Sequence, residues 1–486
     1  MSISSAISNA VSGLTAASRG IEIVSSNIAN ALTPGHARRE LDLSSRPSEH
    51  GGGVNIDGVS RIFTAGLIAD NRLAEAGVGS SRTVAAFHAA MEKAFGTGTG
   101  ISSLGQSLTD FESALTSAAS RPDSDMRLSN VLDTATALAK KINDISTTIQ
   151  AERSKAEQAI ESDVSRLNAA LQQVAKLNAQ IVTITAQGKD ASSLVDARQA
   201  AIDGISDILP IKEVPRENGR IALFTPDGAI LLDGTEPARI EFSAVPGITA
   251  EMSIGSSALS ALTLNGKPLT GPQQQTMLSG GSLGANFAIR DQIAPAYQQQ
   301  IDAFARDLYD RLSDPMIDSS LNTGGPGLFT DAQGAFDPTN ESGFAGRIAV
   351  TFLVSPETGG QLWRIRAGIH APDPGNSGES ALLDRLSSAI SASRSPASAH
   401  LSNAPRSLQT LSAEMSSGAA TNRIRSEASA LQSSSHQSGL KAALLAEGVD
   451  SDKEMESLLA LERAYAANAK VFQTANDMLD AILRLT

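Results

Sequence analysis

The fold is decided first by residues 3–31, which read ISSAISNAVSGLTAASRGIEIVSSNIANA. Apolar side chains recur every seven residues in this stretch, and a second set of apolar or small residues fills the intervening positions. This repeat is typical of a helix that packs lengthwise against another helix. Pro34 and Gly35 predict its end, because the residue before a proline avoids the helical region and glycine tolerates a positive φ. The first set is Ile7, Leu14, Ile21 and Ile28, and the second is Ile3, Ala10, Ala17, Val24 and Ala31.

The far end of the chain repeats the pattern and predicts a second amphipathic helix. Neither terminal helix has enough apolar surface on its other faces to lie inside a globular core, so each stripe needs a helix partner. We expect the ends to pair with each other or with neighbouring copies, and the pattern leaves both open because a stripe does not name its partner. The two sets are Leu458, Tyr465, Phe472 and Leu479, and Leu461, Asn468, Ala475 and Ile482.

A third seven-residue pattern runs from Leu128 to about Ala186 and predicts one very long helix. Its step shortens to four residues between Ala156 and Ile160, a stutter that locally unwinds a supercoil. Shorter helical patterns predict the rest of a helical rod. They cover residues 61–95, 192–209, 286–312, 382–390 and about 402–445.

Two segments, 211–280 and 347–370, are instead rich in β-branched residues and turn pairs such as Asn265-Gly266, which predict strands. Trp363 is expected in a half-buried strand. Residues 322–343, rich in Gly, Pro, Asp and Asn, predict an irregular loop. The expected fold is therefore mainly α with inserted β: a long helical coiled-coil or bundle rod, built from both chain ends, that carries an inserted β-rich domain.

The expected division of the chain has three discontinuous parts. Residues 1–45 and 450–486 form a terminal heptad-helix polymerisation domain. Residues 46–209, 284–321 and 375–449 form the helical rod domain. Residues 210–283 and 322–374 form a β-rich outer domain.

Composition excludes several kinds of function. With 486 residues the chain can hold several globular units, and only 3% of them are aromatic, which favours slender helical packing. A net charge of −13 without a basic block argues against nucleic-acid binding. The chain has no cysteine, and none of its six histidines stands three or four residues from another, so we expect no metal and no cofactor. The sequence shows neither a usual cleavable signal nor a membrane-spanning run, so no membrane insertion is expected.

One enzymatic pattern occurs, since residues 280–284 match the G-x-S-x-G spacing that displays a nucleophilic Ser282. The residues before it, 271–275, do not form a buried hydrophobic strand, and no particular histidine is indicated as its partner. A glycine turn before a helix explains the same residues, so we expect no catalytic residue. Gly96, Gly98 and Gly100 lack the remaining residues of a phosphate-binding loop and are interpreted as a hinge.

Both chain ends resemble a known family. Residues 25–35, SSNIANALTPG, resemble the signature after the first helix of bacterial flagellar axial proteins, which include rod, hook and hook-associated proteins. The stretch from 447 to 479 is similar to the terminal motif of that family. Three further stretches, 33–39, 53–72 and 177–199, resemble the hook-associated members, although His36 stands where the family usually has Tyr. The signature residues are Asn27, Ile28, Ala29, Asn30, Thr33, Pro34 and Gly35.

The resemblance implies a non-enzymatic structural protein of the hook–filament junction, found outside the cell. Its implied partners are copies of itself in a ring, the hook protein, hook-associated protein 3 on the filament side, a cytosolic export chaperone and the flagellar type III export apparatus. A flagellar rod or hook protein shares both ends but usually lacks the long helical middle, and a coiled-coil type III secreted protein would share only the heptads.

We hypothesise that the terminal helices are loosely paired or disordered in the monomer and become ordered on assembly. The entropic cost of ordering them would then arise during assembly and not in the monomer. The polymerisation interface would then be the apolar stripes themselves. Its expected residues are Ile3, Ile7, Leu14, Ile21, Val24, Ile28, Leu458, Leu461, Tyr465, Asn468, Phe472, Leu479 and Ile482.

Overall fold

The computed structural model describes residues 3–33, 35–46, 52–96, 100, 103–269, 276 and 279–483. It confirms a mainly α fold with a small inserted β region. The helices are α1 (Ile3–Ala29), α2 (Ala65–Phe95), α3 (Leu104–Ser120), α4 (Asp125–Ala186), α5 (Ser192–Asp203), α6 (Gly281–Ala288), α7 (Ala294–Leu312), α8 (Phe344–Arg347), α9 (Arg364–Ala367), α10 (Ala381–Ser391), α11 (Leu408–Ala446) and α12 (Ser451–Leu483). The strands are β1 (Arg38–Ser45), β2 (Val54–Ile62), β3 (Lys212–Pro215), β4 (Ile221–Phe224), β5 (Ile230–Leu232), β6 (Ile240–Glu241), β7 (Thr263–Leu264), β8 (Lys267–Pro268), β9 (Phe329–Asp331) and β10 (Ile348–Val350).

The two ends of the chain form one structural unit. Helices α1 and α12 pack against each other, and the antiparallel hairpin β1–β2 packs on α1. We call the described residues of 3–62 and 451–483 the terminal unit, and those of 65–446 the body. Helices α2 and α11, which also pack together, lead from the terminal unit into the body.

Helix α4 is the axis of the body. It contains 62 residues, which corresponds to about 93 Å at about 1.5 Å per residue. Its first half packs with α3, α7, α10 and the start of α11 in one hydrophobic core, and its second half packs with α5 and β4–β6 in another. In α4 the first core ends at Ala156 and the second begins at Ile160. The stutter seen in the sequence therefore lies at the boundary between the two cores.

Buried charges occupy this boundary. The Arg153 guanidinium donates hydrogen bonds to the carbonyl oxygens of Arg290 at 3.0 Å and Met252 at 2.7 Å. One turn later, the Glu157 carboxylate accepts a hydrogen bond from Arg290 at 2.7 Å. Glu157 and Arg290 are both fully buried. Because a buried charge is tolerated only when it is paired and hydrogen-bonded, this cluster fixes the segment around Met252 to the rod.

The two segments expected to form one β-rich domain are separated in the structure. Residues 212–268 form the sheets β3-β4-β5 and β6-β7-β8, and the first of these belongs to the second core. Residues 322–374 instead pack on the first core through side chains such as Phe329, Phe344 and Ile365, and contribute only the pair β9–β10. Trp363 lies just before the helical turn α9, not in a strand. Short apolar runs bounded by turn residues occur in strands and in single helical turns alike, so their pattern does not separate the two.

Helix boundaries also differ from the prediction where local chemistry intervenes. Arg61 pairs with Arg39 in the hairpin, so α2 begins only at Ala65. The helix expected from residue 286 begins at Gly281 and is interrupted by a π-helical turn at Ile289–Ile293, next to Pro295. Proline has no backbone N–H, so the regular hydrogen-bond pattern cannot continue through it. Gly98 of the expected hinge lies outside the described residues.

Two glycines in α2 provide a test of the packing between this helix and the loop before β3. A Cβ atom on Gly79 would lie 2.1 Å from the carbonyl oxygen of Asp207, whereas a Cβ atom on Gly77 would meet nothing within 4 Å. We expect Gly79→Ala to lower the free energy of unfolding by about 1–3 kcal/mol through overpacking. The matched control Gly77→Ala should raise it by up to about 1 kcal/mol through helix propensity. Denaturant unfolding measures both, and equal stability of the two variants would contradict the close approach.

Candidate functional site

The expected interface residues lie on α1 and α12, which the structure brings together within one chain. The helices run antiparallel, and facing residues step seven positions along each helix in opposite directions. The step of seven agrees with the heptad patterns, but on α1 the facing residues stand one position before Leu14, Ile21 and Ile28 of the first apolar set. The facing pairs are Gly13 with Asn468, Gly20 with Leu461, and Asn27 with Glu454.

Glycine allows the two helices to approach closely. A Cβ atom on Gly13 would lie 2.7 Å from Oδ1 of Asn468, and one on Gly20 would lie 3.0 Å from a methyl carbon of Leu461. The Asn468 amide donates to the carbonyl oxygen of Ala464 at 2.9 Å, so this polar side chain has a partner inside the seam. The sequence analysis missed both glycines because it scored apolar side chains. A search for small residues repeated seven positions apart would have found Gly13 and Gly20.

Most of the expected interface residues are not covered by this pairing. Val24 is buried, and the other α1 residues of the set are half-buried. On α12, Leu458, Leu461 and Asn468 are half-buried, and the other four residues of the set are exposed. Their exposed fractions are 44% for Tyr465, 37% for Phe472, 37% for Leu479 and 50% for Ile482. The helix pair therefore leaves a large part of its apolar seam facing outward.

A buried polar network closes one end of the helix pair. Asn27 is fully buried, and its amide donates to the Arg39 carbonyl oxygen at 2.9 Å and to Glu454 Oε2 at 3.0 Å, while its Oδ1 accepts from Arg39 N at 3.0 Å. The other Glu454 oxygen accepts from Arg38 Nε at 2.7 Å. This hydrogen bond raises the pKa of Arg38. Asn27 thus binds the chain after α1 and the first turn of α12 at the same time.

The remaining signature residues shape the chain between α1 and β1. The Asn30 amide donates to the Ser26 carbonyl oxygen at 2.9 Å, and Thr33 donates to Asn30 Oδ1 at 3.3 Å. Ile28 is half-buried and Ala29 is exposed. Gly35 has a φ of +82°, and a Cβ atom there would lie 3.4 Å from that of Ala200 on α5. Pro34 lies outside the described residues.

The G-x-S-x-G segment does not form a catalytic arrangement. The Ser282 hydroxyl donates to Asp163 Oδ2 at 2.8 Å, and the backbone N–H of Ser282 donates to the Asp207 carbonyl oxygen at 2.9 Å. None of the histidines in the described ranges hydrogen-bonds Ser282, and buried His88 contacts Tyr297. Gly280 caps α6, and Gly281 and Gly284 lie within it, whereas the sequence analysis predicted a glycine turn before a later helix start. Burial raises the pKa of Asp163.

Neither a metal centre nor a membrane span is found in the part of the chain that the structure describes. No group of three or more histidine or carboxylate side chains is placed to hold a metal ion. Across the same residues, no helix combines the length and the apolar character required to cross a bilayer.

Known families match the chain at both ends and through its middle. The model of the flagellar hook-associated protein FlgK helical domain matches residues 89–314. The C-terminal model of flagellar basal body rod FlgEFG proteins matches 441–485, and the flagella basal body rod protein model matches 7–36. Flagellar hook-associated protein 1 of Salmonella typhimurium is 24% identical, and the alignment covers 99% of this chain and 100% of that protein. The chain is thus similar to flagellar hook-associated protein 1 over its whole length.

Other relatives align over shorter lengths. The Escherichia coli (strain K12) protein is 26% identical over 60% of this chain and 53% of that protein. The Bacillus subtilis protein is 25% identical over 52% of this chain and 56% of that protein. In these two matches the chain spans about half the length of its relative. A solved structure, the flagellar hook junction protein FlgK from Burkholderia pseudomallei, aligns with a TM-score of 0.45 at 20% identity over 54% of this chain and 46% of that chain.

The family matches follow the structural units. The two rod-protein models fall on the terminal unit and the α11–α12 connection, whereas the helical-domain model runs from the end of α2 through α7. The terminal unit is thus the part that resembles the rod proteins, and the body contains the part that resembles the helical domain of flagellar hook-associated protein FlgK.

Removing the Glu454 carboxylate tests the polar network. Glu454→Ala deprives Arg38 and Asn27 of a hydrogen-bond acceptor, and hydrogen bonds to charged groups contribute about 1.5–3 kcal/mol. We expect amides in the first turns of α12 to exchange about 30-fold faster, which corresponds to about 2 kcal/mol of local stability. Hydrogen–deuterium exchange measures this effect. The neighbouring exposed Glu456→Ala is the control and should leave exchange unchanged; equal exchange in both variants would contradict the network.

Proposed function

We propose that this protein is a structural, non-enzymatic component of the flagellum that joins the hook to the filament. The observation that carries the proposal is the in-register pair α1–α12, which leaves its largest apolar side chains half-buried or exposed. An apolar stripe of this kind needs a further helix surface to cover it. In a protein similar to hook-associated protein 1, copies of the same chain supply that surface.

The partners of this function are copies of the protein arranged in a ring, with the hook protein on one side and hook-associated protein 3 on the filament side. The chain reaches this position through the flagellar type III export apparatus, held beforehand by a cytosolic chaperone, and it acts outside the cell. The names of the relatives support the flagellar location. The absence of cysteine suits a chain that folds outside the cell because no disulfide has to form or be avoided there.

Assembly stabilises the terminal helices by covering their seam. Full burial of a Leu, Ile or Phe side chain contributes about 1.5–3 kcal/mol. Among the described residues of α12, only Glu454 and Ala475 are buried within one chain, so the pair alone has little tertiary packing. Helices of this size depend on such packing for stability. The terminal helices therefore pair within one chain but gain most of their stability when copies meet, which keeps polymerisation weak before export.

The three predicted domains have different roles in this proposal. Residues 1–45 and 450–486 polymerise, and the helical rod and β-rich segments form the outer body that couples the flexing hook to the stiffer filament. A rod or hook protein would share the terminal unit, but the match of the helical-domain model over residues 89–314 favours the hook-associated function. A type III secreted coiled-coil protein of another system would not match at both ends.

Phe472→Asp tests the polymerisation interface. Phe472 is 37% exposed within one chain, and a carboxylate buried between copies without a partner would be strongly unfavourable. In a strain that lacks its own gene for this protein, we expect the variant to be exported with its body folded, but to leave cells without attached filaments and non-motile. The measurements are swimming motility and immunogold labelling of the flagella.

The matched control is Gln473→Asp, which introduces the same charge at the next exposed position of α12. It should attach filaments normally and show label at a single point between hook and filament. Normal filament attachment by Phe472→Asp would refute the interface. Label along the entire hook in the wild type would instead identify a hook protein.

A further inference from the structure

The terminal unit is joined to the body by two short connections. Residues Phe63 and Thr64 link β2 to α2, and residues 447–450 link α11 to α12. Two connections of this length leave a hinge unless side chains fix the angle between the units. Among the ion pairs that the described residues form across this boundary, all reach the same carboxylate, that of Asp196 on α5.

Three basic side chains of the terminal unit converge on Asp196. Arg39 Nη2 on β1 lies 2.6 Å from Oδ2, and Arg61 on β2 donates to Oδ1 through Nη2 at 2.6 Å and Nε at 2.9 Å. His36 Nδ1 lies 3.6 Å from Oδ2. All four side chains are at most 16% exposed. Salt screens such partly buried pairs less than exposed ones, and charge-assisted hydrogen bonds of this length are among the stronger ones.

The same carboxylate also reduces a charge repulsion within the hairpin. Arg39 and Arg61 stand directly opposite each other in the β1–β2 register, and like charges in this position destabilise a strand pair. Burial lowers the pKa of His36, which favours its neutral form. The body therefore supplies one negative charge that two guanidinium groups of the terminal unit share.

We propose that Asp196 is a positioning residue that fixes the orientation of the terminal helix pair relative to the body. The α1–α12 pair and the Asn27–Glu454 network do not include Asp196, so loss of its charge releases the angle between the units without unfolding either one. The consequence for assembly rests on the proposed function above. With a fixed angle between the units, each copy presents its apolar stripe in the orientation that its neighbour requires.

The test is a distance measurement on the isolated, unassembled protein. The chain has no cysteine, so thiol-reactive spin labels attach only to cysteines that are introduced. The substitutions are Ser18→Cys on α1 and Thr185→Cys at the end of α4, both at exposed positions. We expect double electron–electron resonance to give one narrow distance distribution for the otherwise wild-type protein. Asp196→Asn should broaden or shift it, and Asp196→Glu should restore it.

The control is Asp233→Asn, which removes the exposed ion pair with Arg216 in the β3–β5 sheet. It should leave the distribution narrow. Hydrogen exchange in α12 should be the same in Asp196→Asn and the wild type, which shows that the helix pair stays formed. An unchanged narrow distribution in Asp196→Asn would overturn the proposal, as would a failure of Asp196→Glu to restore it. Neither result depends on polymerisation, so the proposed function is tested separately.

Discussion

Asn27 and Glu454 are 427 positions apart in the chain, yet their buried side chains share a hydrogen bond. This contact brings the two chain ends into one structural unit, because Asn27 also holds the chain that leads into β1. A buried amide and a buried carboxylate tolerate few alternative arrangements, since any shift would leave them unpaired. The network therefore sets the register between α1 and α12. In this register Gly20 faces Leu461 and Gly13 faces Asn468.

The long helix α4 follows a related principle. It continues without a break from one hydrophobic core to the other. Between the two cores, where the heptad pattern stutters, charged side chains replace apolar ones on the packed face of the helix. Arg153 and Glu157 occupy that point and bind backbone and side-chain groups of Met252 and Arg290. The body thus has two apolar cores on one rod, and the polar cluster between them fixes where the inserted β segment attaches.

Periodicity predicted the long elements well because each of them carries an apolar stripe along one face. The pattern from Leu128 to Ala186 matches α4 closely, and both terminal stripes lie on helices. Prediction failed where contacts distant in sequence decide the structure. Residues 347–370 were predicted as strands but form only β10 and short helical turns, one of which buries Ile365 in the first core.

The candidate site shows the same division. Its apolar residues followed from the heptads, and Asn27 was singled out by family resemblance alone. The two glycines were not found because only apolar side chains were scored. The function of Asp196 was not found because ion pairs between distant segments leave no periodic trace. Arg39 and Arg61 stand 22 positions apart in a hairpin whose register only the structure reveals.

The distribution of residue sizes within the terminal seam explains why pairing and polymerisation can be separate events. Small or polar residues, Gly13, Gly20 and Asn27, occupy the line where α1 meets α12, and they specify alignment but bury little apolar surface. The larger residues Tyr465, Phe472 and Ile482 lie outside that line and keep much of their surface exposed. Since apolar burial supplies most of the free energy of association, the intramolecular contact sets the geometry, and most of the stabilisation remains available for contacts between copies.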